Sequence, residues 1–232
     1  LITTSNAHDI SELQSLVESN RVDGMLLTRA LEDDRALQYL SQANFPTALT
    51  GTCRYDNIIQ VDTDNEGAAE KMTTLLIGKG FRRFAFLVKD MSYNVDRKRH
   101  EGFCRALIKN GISEKDQLFY NGSIRMEFLD AIIENIISKK VECIICGDDE
   151  ICTMVMSRLQ AEGYRIPKDV AIASLYNSTN LDCYSPAVTA VSVAASQMGG
   201  TAVRQLIQRL RGENYEKKTM LDYDILFRKS TN

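Results

Sequence analysis

The sequence predicts an α/β fold built from doubly wound parallel sheets. Short apolar runs alternate with helical patterns along the chain, which is typical of strands joined by covering helices. The apolar runs contain few polar residues, as expected of strands that are covered on both faces. Between Gly163 and Gly200, turn residues mark a helix end, a proline turn, a buried strand, a loop, a second buried strand and another helix.

The predicted elements follow one another without a repeat, a low-complexity stretch or a long linker. The predicted strands are Leu1–Thr4, Gly24–Thr28, Pro46–Leu49, Ile58–Asp62, Phe84–Lys89, Glu142–Cys146, Val170–Leu175, Ala187–Val193 and Met220–Phe227. The predicted helices are Ile10–Ser19, Asp34–Ala43, Asn65–Lys79, Asp96–Asn110, Met126–Ser138, Glu150–Glu162 and Ser196–Arg211. Three of these helices precede a glycine that fits a left-handed cap, namely Gly80, Gly111 and Gly163.

Length and composition indicate a globular protein of one or two domains. The chain has 232 residues, of which 44% are apolar and 25% are charged, and its formal net charge is −3. A protein of this size buries roughly 70–75% of the surface that its unfolded chain exposes. The net charge does not indicate that the whole chain binds a polyanion. No apolar run approaches the roughly 20 residues that a membrane helix needs.

Cysteine usage indicates a reducing compartment. Six cysteines in a chain of this length do not suggest a disulfide framework. The segment Leu1–Ser5 has neither the basic region nor the long apolar run of a signal peptide. We therefore predict a cytoplasmic protein that does not associate with a membrane.

The sequence predicts no catalytic, cofactor or metal site. Cys143 and Cys146 have C-x-x-C spacing, but residues three apart on a strand point to opposite faces, so their sulfur atoms cannot meet. The only histidines are His8 and His100 and there is no second C-x-x-C pair, which argues against a zinc site. Gly78–Gly80 lacks the rest of a P-loop, and no Gly-x-Ser-x-Gly elbow exists. We therefore predict a protein that is not an enzyme.

Two polar segments have both a structural and a functional interpretation. Asp149 and Glu150 follow a predicted strand and suit the cap and first turn of a helix. Asp148 falls at the carboxyl end of the same strand, where open α/β sheets bind ligands. The basic run Arg97–His100 is most simply a charged helix face. The alternative is that one of its arginines points into a cleft.

Six segments have the residue patterns and the order of a known family. Asp62–Ala68 contains an Asp-Asn-x-x-Gly pattern, Lys79–Phe86 resembles a Gly-His-Arg-x-Ile strand entry with phenylalanine in place of histidine, and Arg99–Phe103 matches Arg-x-x-Gly-Phe. Arg21–Leu27 resembles a strand of the family with its lead-in. Gly163–Thr189 resembles two consecutive patterns, Gly-x-x-Val-Pro-x-Asp-Val and Ser/Thr-Pro-x-Leu-Thr-Thr-Val. Leu226–Ser230 resembles a Leu-x-x-Arg-x-Ser ending. Together they resemble the LacI/GalR family of bacterial transcription regulators over essentially the whole chain.

The resemblance implies two α/β lobes of periplasmic-binding-protein type joined by three crossovers. The amino-terminal lobe would comprise residues 1–80 and 192–221, and the carboxyl-terminal lobe residues 81–191 and 222–232. The pattern starts on a strand at Leu1, so we expect the amino-terminal lobe to be truncated at its start. A small-molecule effector would bind in the cleft between the two lobes, and the protein would form a homodimer. Effector binding would change how tightly a helix-turn-helix domain, which is missing here, binds operator DNA. The regulator would act in this way as a repressor.

The resemblance also implies ligand-binding roles. Arg99 matches an arginine that forks onto ligand oxygens, and Asp148 falls at a polar position of the cleft. The full set of implied ligand-binding residues is Arg99, Asp148, Tyr176, Asn177, Gly51, Thr52 and Ile124.

Several of these positions depart from the family's pattern. Tyr176, followed by Asn177, and Gly51 stand where the family often has aspartates that accept hydrogen bonds from sugar hydroxyls. Ile124 stands where the family often has an aromatic wall. Tyr176 offers a stacking face and a hydroxyl instead. These departures argue against a standard hexose, so the predicted effector is a sugar-like molecule or another small polar metabolite.

Two alternative functions share part of these observations. A transport-type periplasmic solute-binding protein has the same lobes, but it should carry a signal peptide or a lipobox cysteine. An enzyme with a doubly wound fold would need a nucleophile–base pair or a metal cluster. The Leu226–Ser230 ending and the cysteine usage favour the transcription regulator.

Overall fold

The computed structural model describes residues 9–122 and 126–232 of the chain. These residues divide into two compact units. Unit 1 takes in residues 9–63, Ser92–Val95 and Ala194–Asp222, and unit 2 takes in Asp64–Met91, Asp96–Val193 and Tyr223–Asn232. Apart from the short segment Ser92–Val95, the chain passes between the units three times, in agreement with the three predicted crossovers.

The helices and strands follow the predicted alternation. The helices are α1 Ser11–Glu18, α2 Arg35–Gln42, α3 Asn65–Gly78, α4 Asn94–Lys109, α5 Met126–Ser138, α6 Asp149–Ala161, α7 Thr179–Cys183 and α8 Ala195–Leu210. The strands are β1 Met25–Leu27, β2 Thr47–Thr50, β3 Ile59–Thr63, β4 Phe84–Val88, β5 Leu118–Asn121, β6 Cys143–Cys146, β7 Ala171–Ser174, β8 Thr189–Val193, β9 Lys218–Leu221 and β10 Tyr223–Leu226.

Unit 1 contains a parallel sheet with buried residues on both faces. In the described residues its strand order is β1-β2-β3-β9, and each neighbouring pair is parallel. Ala48 and Val61 pack with Leu206 of α8 in one core cluster, whereas Leu49 packs with Leu37 of α2 in another. Neighbouring residues of a strand point to opposite faces, so the sheet is covered by helices on both sides, as predicted.

Unit 2 contains a larger sheet of the same kind. Its order in the described chain is β10-β8-β7-β6-β4-β5, and every pair is parallel except β10 with β8. Cys143 packs with Phe84 and Phe86 in the core cluster that includes α3 and α4. Cys146 belongs to the cluster on the other face, with residues of α5 and α6. The two cysteines therefore lie on opposite faces, as their spacing predicts.

The structure differs from the predicted elements in three places. The predicted strand Met220–Phe227 is two strands, because the chain leaves unit 1 at Asp222, so that β9 pairs with β3 and β10 with β8. The edge strand β5 and the five-residue helix α7 were not among the predicted elements. The predicted strand Leu1–Thr4 lies outside the described residues.

The predicted amino-terminal lobe runs to residue 80 and so includes α3. The division of the structure assigns α3 to unit 2. The physical reason is packing: Met72 and Leu76 of α3 are buried in one cluster with Phe84, Phe86 and Phe103. A helix belongs to the unit against which its apolar face is buried.

Helices α3 and α4 approach each other closely at Gly102. A Cβ atom at Gly102 would lie 2.1 Å from the backbone oxygen of Glu66 and 3.0 Å from the Cβ of Ala69. Backbones can come this close only where one residue lacks a side chain. One turn further along α4, Arg105 forms ion pairs with Glu66 and Glu70 of α3. Gly102 thus fixes how closely α4, which carries Arg99, packs against α3.

The substitution Gly102→Ala should destabilise the protein, because its methyl group would overlap the backbone of α3. We expect the free energy of unfolding to fall by about 1–3 kcal/mol, as for other overpacked sites. Urea unfolding followed by circular dichroism measures this change.

A matched control is Gly199→Ala in α8, where an added Cβ would meet no atom within 4 Å. This substitution should raise the free energy of unfolding by about 0.5–1 kcal/mol, because alanine favours a helix over glycine. If the two alanine variants were equally stable, the tight approach of α3 and α4 would be disproved.

Candidate functional site

The candidate site lies at the carboxyl edge of the sheet in unit 2. Strands β4, β6 and β7 are parallel and adjacent, so the residues that follow them come to the same edge. Lys89 follows β4, Asp148 lies two residues beyond β6, and Tyr176 lies two residues beyond β7. Open α/β sheets bind ligands in the crevice at the carboxyl ends of their strands.

Arg99 is a buried cation at this edge. It lies on α4 and is only 7% exposed. Its Nη1 donates a hydrogen bond to the backbone oxygen of Gly147 at 2.7 Å, and its Nε donates to Oδ1 of Asn65 at 3.2 Å. A guanidinium cannot lose its charge at ordinary pH, so a buried one must be held by acceptors. Arg99 therefore joins α4 to the start of α3 and to the loop after β6.

Gly147 allows this arrangement because it has no side chain. A Cβ atom there would lie 2.9 Å from Cγ1 of Val88 and 3.0 Å from the backbone oxygen of Leu87. Its backbone N–H donates to that same oxygen at 2.7 Å. The loop after β6 is thus pressed against the end of β4, with the carbonyl of Gly147 available to Arg99.

Asp148, rather than Asp149, caps helix α6. Its Oδ1 accepts a hydrogen bond from the backbone N–H of Ile151 at 2.9 Å, and its backbone is extended, with φ −142° and ψ 177°. Asp149 is the first residue of the helix itself. The predicted capping role of Asp149 was therefore wrong, and the capping carboxylate is the one predicted to contact ligand. The side chain of Asp148 remains 22% exposed.

Lys89 neutralises this acidic helix start. Its Nζ lies 2.9 Å from Oδ2 of Asp148 and also forms an ion pair with Glu150. Burial lowers the pKa of Lys89, but the carboxylates of Glu150 and Asp148 outweigh burial and raise the pKa above its ordinary value. Lys89 is thus a charged group of the site, with its side chain 31% exposed.

Asp96 adds a buried carboxyl group to the cluster. It is 6% exposed, and its Oδ2 accepts a hydrogen bond from the backbone N–H of Asp90 at 3.1 Å. Burial raises the pKa of Asp96, and the Asp90 N–H and the charge of Arg99 offset this effect only in part. The nearby Asp148 carboxylate raises the pKa of Asp96 further.

Tyr176 and Asn177 follow β7 at the same edge and are both half-buried. The hydroxyl of Ser174 donates to the backbone oxygen of Tyr176 at 2.6 Å and accepts from its N–H at 3.3 Å. The side-chain oxygen of Asn177 accepts from Nη1 of Arg228 at 2.9 Å. Tyr176 thus stands on a turn that a buried serine holds, and Asn177 is fixed by an arginine.

Gly51 and Thr52 belong to unit 1, in the loop after β2. Gly51 has φ 138°, and its N–H donates to the backbone oxygen of Val61 at 2.8 Å. The backbone oxygen of Thr52 accepts from Nδ2 of Asn94 at 2.9 Å. The buried side chain of Gln60 supports this loop by accepting from the N–H of Cys53 at 3.0 Å. Ile124, the remaining predicted ligand-binding residue, lies outside the described residues.

Lys89, Asp96 and Asn65 belong to the cluster but were not among the predicted ligand-binding residues. Lys89 was counted as the last residue of a strand, although its position directly after an apolar run is the signal that marks such sites. Asp96 precedes Arg99 by three residues and therefore lies on the same side of α4. Asn65 is the first residue of α3 and follows the capping Asp64, whose Oδ1 accepts from the N–H of Gly67.

Other features of the described residues do not form a second site of this kind. In these residues no group of three or more metal-binding side chains occurs, and no helix is both long and apolar enough to cross a membrane. Burial raises the pKa of the Cys143 and Cys146 thiols, which makes them poor nucleophiles.

A groove of about 1060 Å³ lies at the amino edge of the same sheet in unit 2. Lys79 and Lys140, which line it, stand at or just after the carboxyl ends of α3 and α5. Cations are favoured there by the helix dipole. The groove contains none of the predicted ligand-binding residues, and its lining also includes the carboxylates of Glu142, Glu162 and Asp169.

Comparison with known proteins gives consistent matches. A family described as "Periplasmic binding protein-like domain" matches residues 73–231. The HTH-type transcriptional regulator CelR of Thermobifida fusca is 26% identical over 99% of this chain and 69% of its own length. The chain therefore spans about two thirds of that relative.

Solved structures agree with this match. A putative LacI transcriptional regulator from Bacillus cereus subsp. cytotoxis is 28% identical with a TM-score of 0.90, covering 99% of this chain and 83% of the other. A complex of the transcriptional regulator CelR with cellobiose is 26% identical with a TM-score of 0.83, covering 94% of this chain and 69% of the other. The periplasmic-binding-protein-like fold predicted from the sequence is confirmed.

The raised pKa of Asp96 predicts a specific pH dependence of stability. The unfolded chain ionises Asp96 near its ordinary pKa of 3.8, whereas the folded protein keeps the proton to a higher pH. Between these pKa values the folded state binds more protons, so the stability contributed by this group falls as pH rises. The substitution Asp96→Asn removes this titration.

We therefore expect the free energy of unfolding of Asp96→Asn, relative to that of the unsubstituted protein, to increase as the pH rises from about 3 to about 7. Urea unfolding at several pH values measures this difference. A difference that is constant or decreases over this range would contradict the burial of Asp96 as an acid with a raised pKa.

Proposed function

The chain belongs to the family of periplasmic binding protein-like domains, and we propose that it is the effector-binding domain of a LacI-type transcription regulator. Its relatives over nearly its whole length are transcription regulators, which favours this function over a transport-type solute-binding protein or an enzyme. In this proposal the domain binds a small molecule, and binding changes the affinity of the regulator for operator DNA. The domain carries out no catalysis.

The observation that carries the proposal is the buried Arg99. A guanidinium that is 7% exposed lies at the ligand-binding edge of a parallel sheet, beside the carboxyl groups of Asp96 and Asp148. Such a cluster is costly to bury and contributes little to stability, so a function is its best explanation. Arginine can hydrogen-bond a ligand oxygen with two parallel donors, and a carboxylate can accept from a hydroxyl.

The proposed ligand contacts follow from this geometry. Arg99 donates to an effector oxygen, and Asp148 accepts from an effector hydroxyl while it continues to cap α6. Tyr176 and Asn177 contribute from the end of β7. These groups match an uncharged ligand with several hydroxyls better than a strongly charged one, because the cluster contains both cations and carboxylates.

We propose a sugar or another small polar metabolite as the effector, with a homodimer and operator DNA as the macromolecular partners. The structurally similar CelR is known in complex with cellobiose, which makes cellobiose the first compound to test. The DNA contact would be made by a part of the regulator outside this domain.

The test is a thermal-shift screen followed by isothermal titration. The screen uses cellobiose, monosaccharides, sugar phosphates, nucleosides and purine bases. A compound at a hundredfold excess over its dissociation constant should stabilise the domain by about 2.7 kcal/mol. For the compound that binds, Arg99→Ala should weaken binding about ten- to hundredfold, because a charged hydrogen bond contributes roughly 1.5–3 kcal/mol.

Two further variants separate binding from folding. Asp148→Asn keeps a side-chain oxygen that can cap α6 but loses the negative charge, so it should fold normally and bind more weakly. Arg105→Gln removes an arginine from the same helix whose partners are Glu66 and Glu70, and it should bind like the unsubstituted domain. Unchanged affinity in both Arg99→Ala and Asp148→Asn would refute this site.

A further inference from the structure

Arg228 connects the end of the described chain to the loop that carries Asn177. Its Nη1 donates to Oδ1 of Asn177 at 2.9 Å and to the backbone oxygen of Val188 at 2.7 Å. Its Nη2 forms an ion pair with Asp182 of α7. The side chain is only 18% exposed. A single guanidinium therefore joins the loop after β7, the short helix α7 and the entry to β8.

The backbone around Arg228 is itself firmly held. The hydroxyl of Thr189 accepts from the N–H of Arg228 at 2.9 Å and donates to its carbonyl oxygen at 3.2 Å. The buried hydroxyl of Ser230 donates to the backbone oxygen of Ile172 at 2.6 Å and accepts from the N–H of Thr189 at 2.8 Å. These bonds fix residues 228–230 on β7 and β8, so the guanidinium extends from a rigid base.

The segment that Arg228 contacts contains α7, a helix with little internal stabilisation. Helix α7 is five residues long, and its N-cap residue Ser178 makes no side-chain capping hydrogen bond. Leu181 is the one residue of α7 that is buried. A helix this short is not stable by itself, and much of its order must come from contacts with neighbouring elements. The three acceptors that Arg228 holds span this segment from Asn177 to Val188.

We propose that Arg228 is a positioning residue that fixes the conformation in which this loop presents Tyr176 and Asn177 to the effector. That Tyr176 and Asn177 contact the effector is part of the proposed function, and this inference rests on it. Arginine is suited to this task because its planar donors serve acceptors in several directions at once. Lysine has a single side-chain nitrogen, so it could keep the ion pair with Asp182, but it has no second nitrogen with which to bond Asn177 and Val188 at the same time.

Hydrogen exchange of the effector-free domain tests the proposal. In Arg228→Gln, backbone amides between residues 176 and 183 should exchange about ten- to hundredfold faster, because charged hydrogen bonds that hold the segment closed are lost. Amides of β4 and β6 should exchange at unchanged rates. Arg228→Lys should restore protection only in part, at the end near Asp182.

The matched control is Arg82→Gln. Arg82 also donates from Nη1 to two backbone oxygens, those of Ile77 and Phe81, but at the other edge of the sheet, so its loss should leave residues 176–183 protected. The proposal is overturned if Arg228→Gln leaves these amides unchanged, or if exchange rises equally throughout unit 2, as a merely structural role would require. No effector is present in this measurement, so its failure is distinct from a failure to find an effector.

Discussion

The guanidinium of Arg99 lies where unit 2 leaves it almost no contact with water, and its charge cannot be removed by a shift of pKa. The surrounding backbone must therefore bring acceptors to it. The carbonyl of Gly147 does so because the absence of a side chain lets the loop after β6 lie against β4. The amide of Asn65 does so because α3 begins at that residue. Gly102 then sets the separation of α3 and α4 that keeps Arg99 within reach of Asn65.

The loops at the sheet edges are held by side chains that do not themselves belong to the proposed ligand contacts. In unit 1 the amide of Gln60 bonds the backbone of Cys53 and Tyr55, which supports the loop containing Thr52. In unit 2 Ser174 holds the turn at Tyr176. Each of these polar side chains is buried or partly buried, and its hydrogen bonds go to the backbone of a loop. Removing the side chain would therefore leave backbone groups of the loop without a hydrogen-bond partner and would loosen the loop. Ligand contacts on loops thus acquire the rigidity of the strands beneath them.

Much of the fold, and part of the site, could be predicted from the sequence because doubly covered strands are apolar and helix ends carry glycine or aspartate. Arg99 and Asp148 were identifiable from their positions in known patterns. The change of sheet at Asp222 was not, because β9 and β10 form one continuous strand-like run. Strand β5 alternates between half-buried and exposed residues at the sheet edge, and α7 is too short for a helical period. Asp148 and Asp149 are adjacent carboxylates, and only the backbone conformation distinguishes the cap from the first helical residue.

In the proposed function, a buried arginine at the carboxyl edge of the sheet, Arg99, anchors the effector. The most direct measurement is a crystal structure of the domain with cellobiose, or with whichever compound of the screen raises its melting temperature. If Arg99 anchors the effector, a ligand oxygen will lie within about 2.7–3.2 Å of its guanidinium, and a ligand hydroxyl will donate to Asp148. A ligand bound in the groove at the amino edge, or one that contacts neither residue, would contradict this proposal.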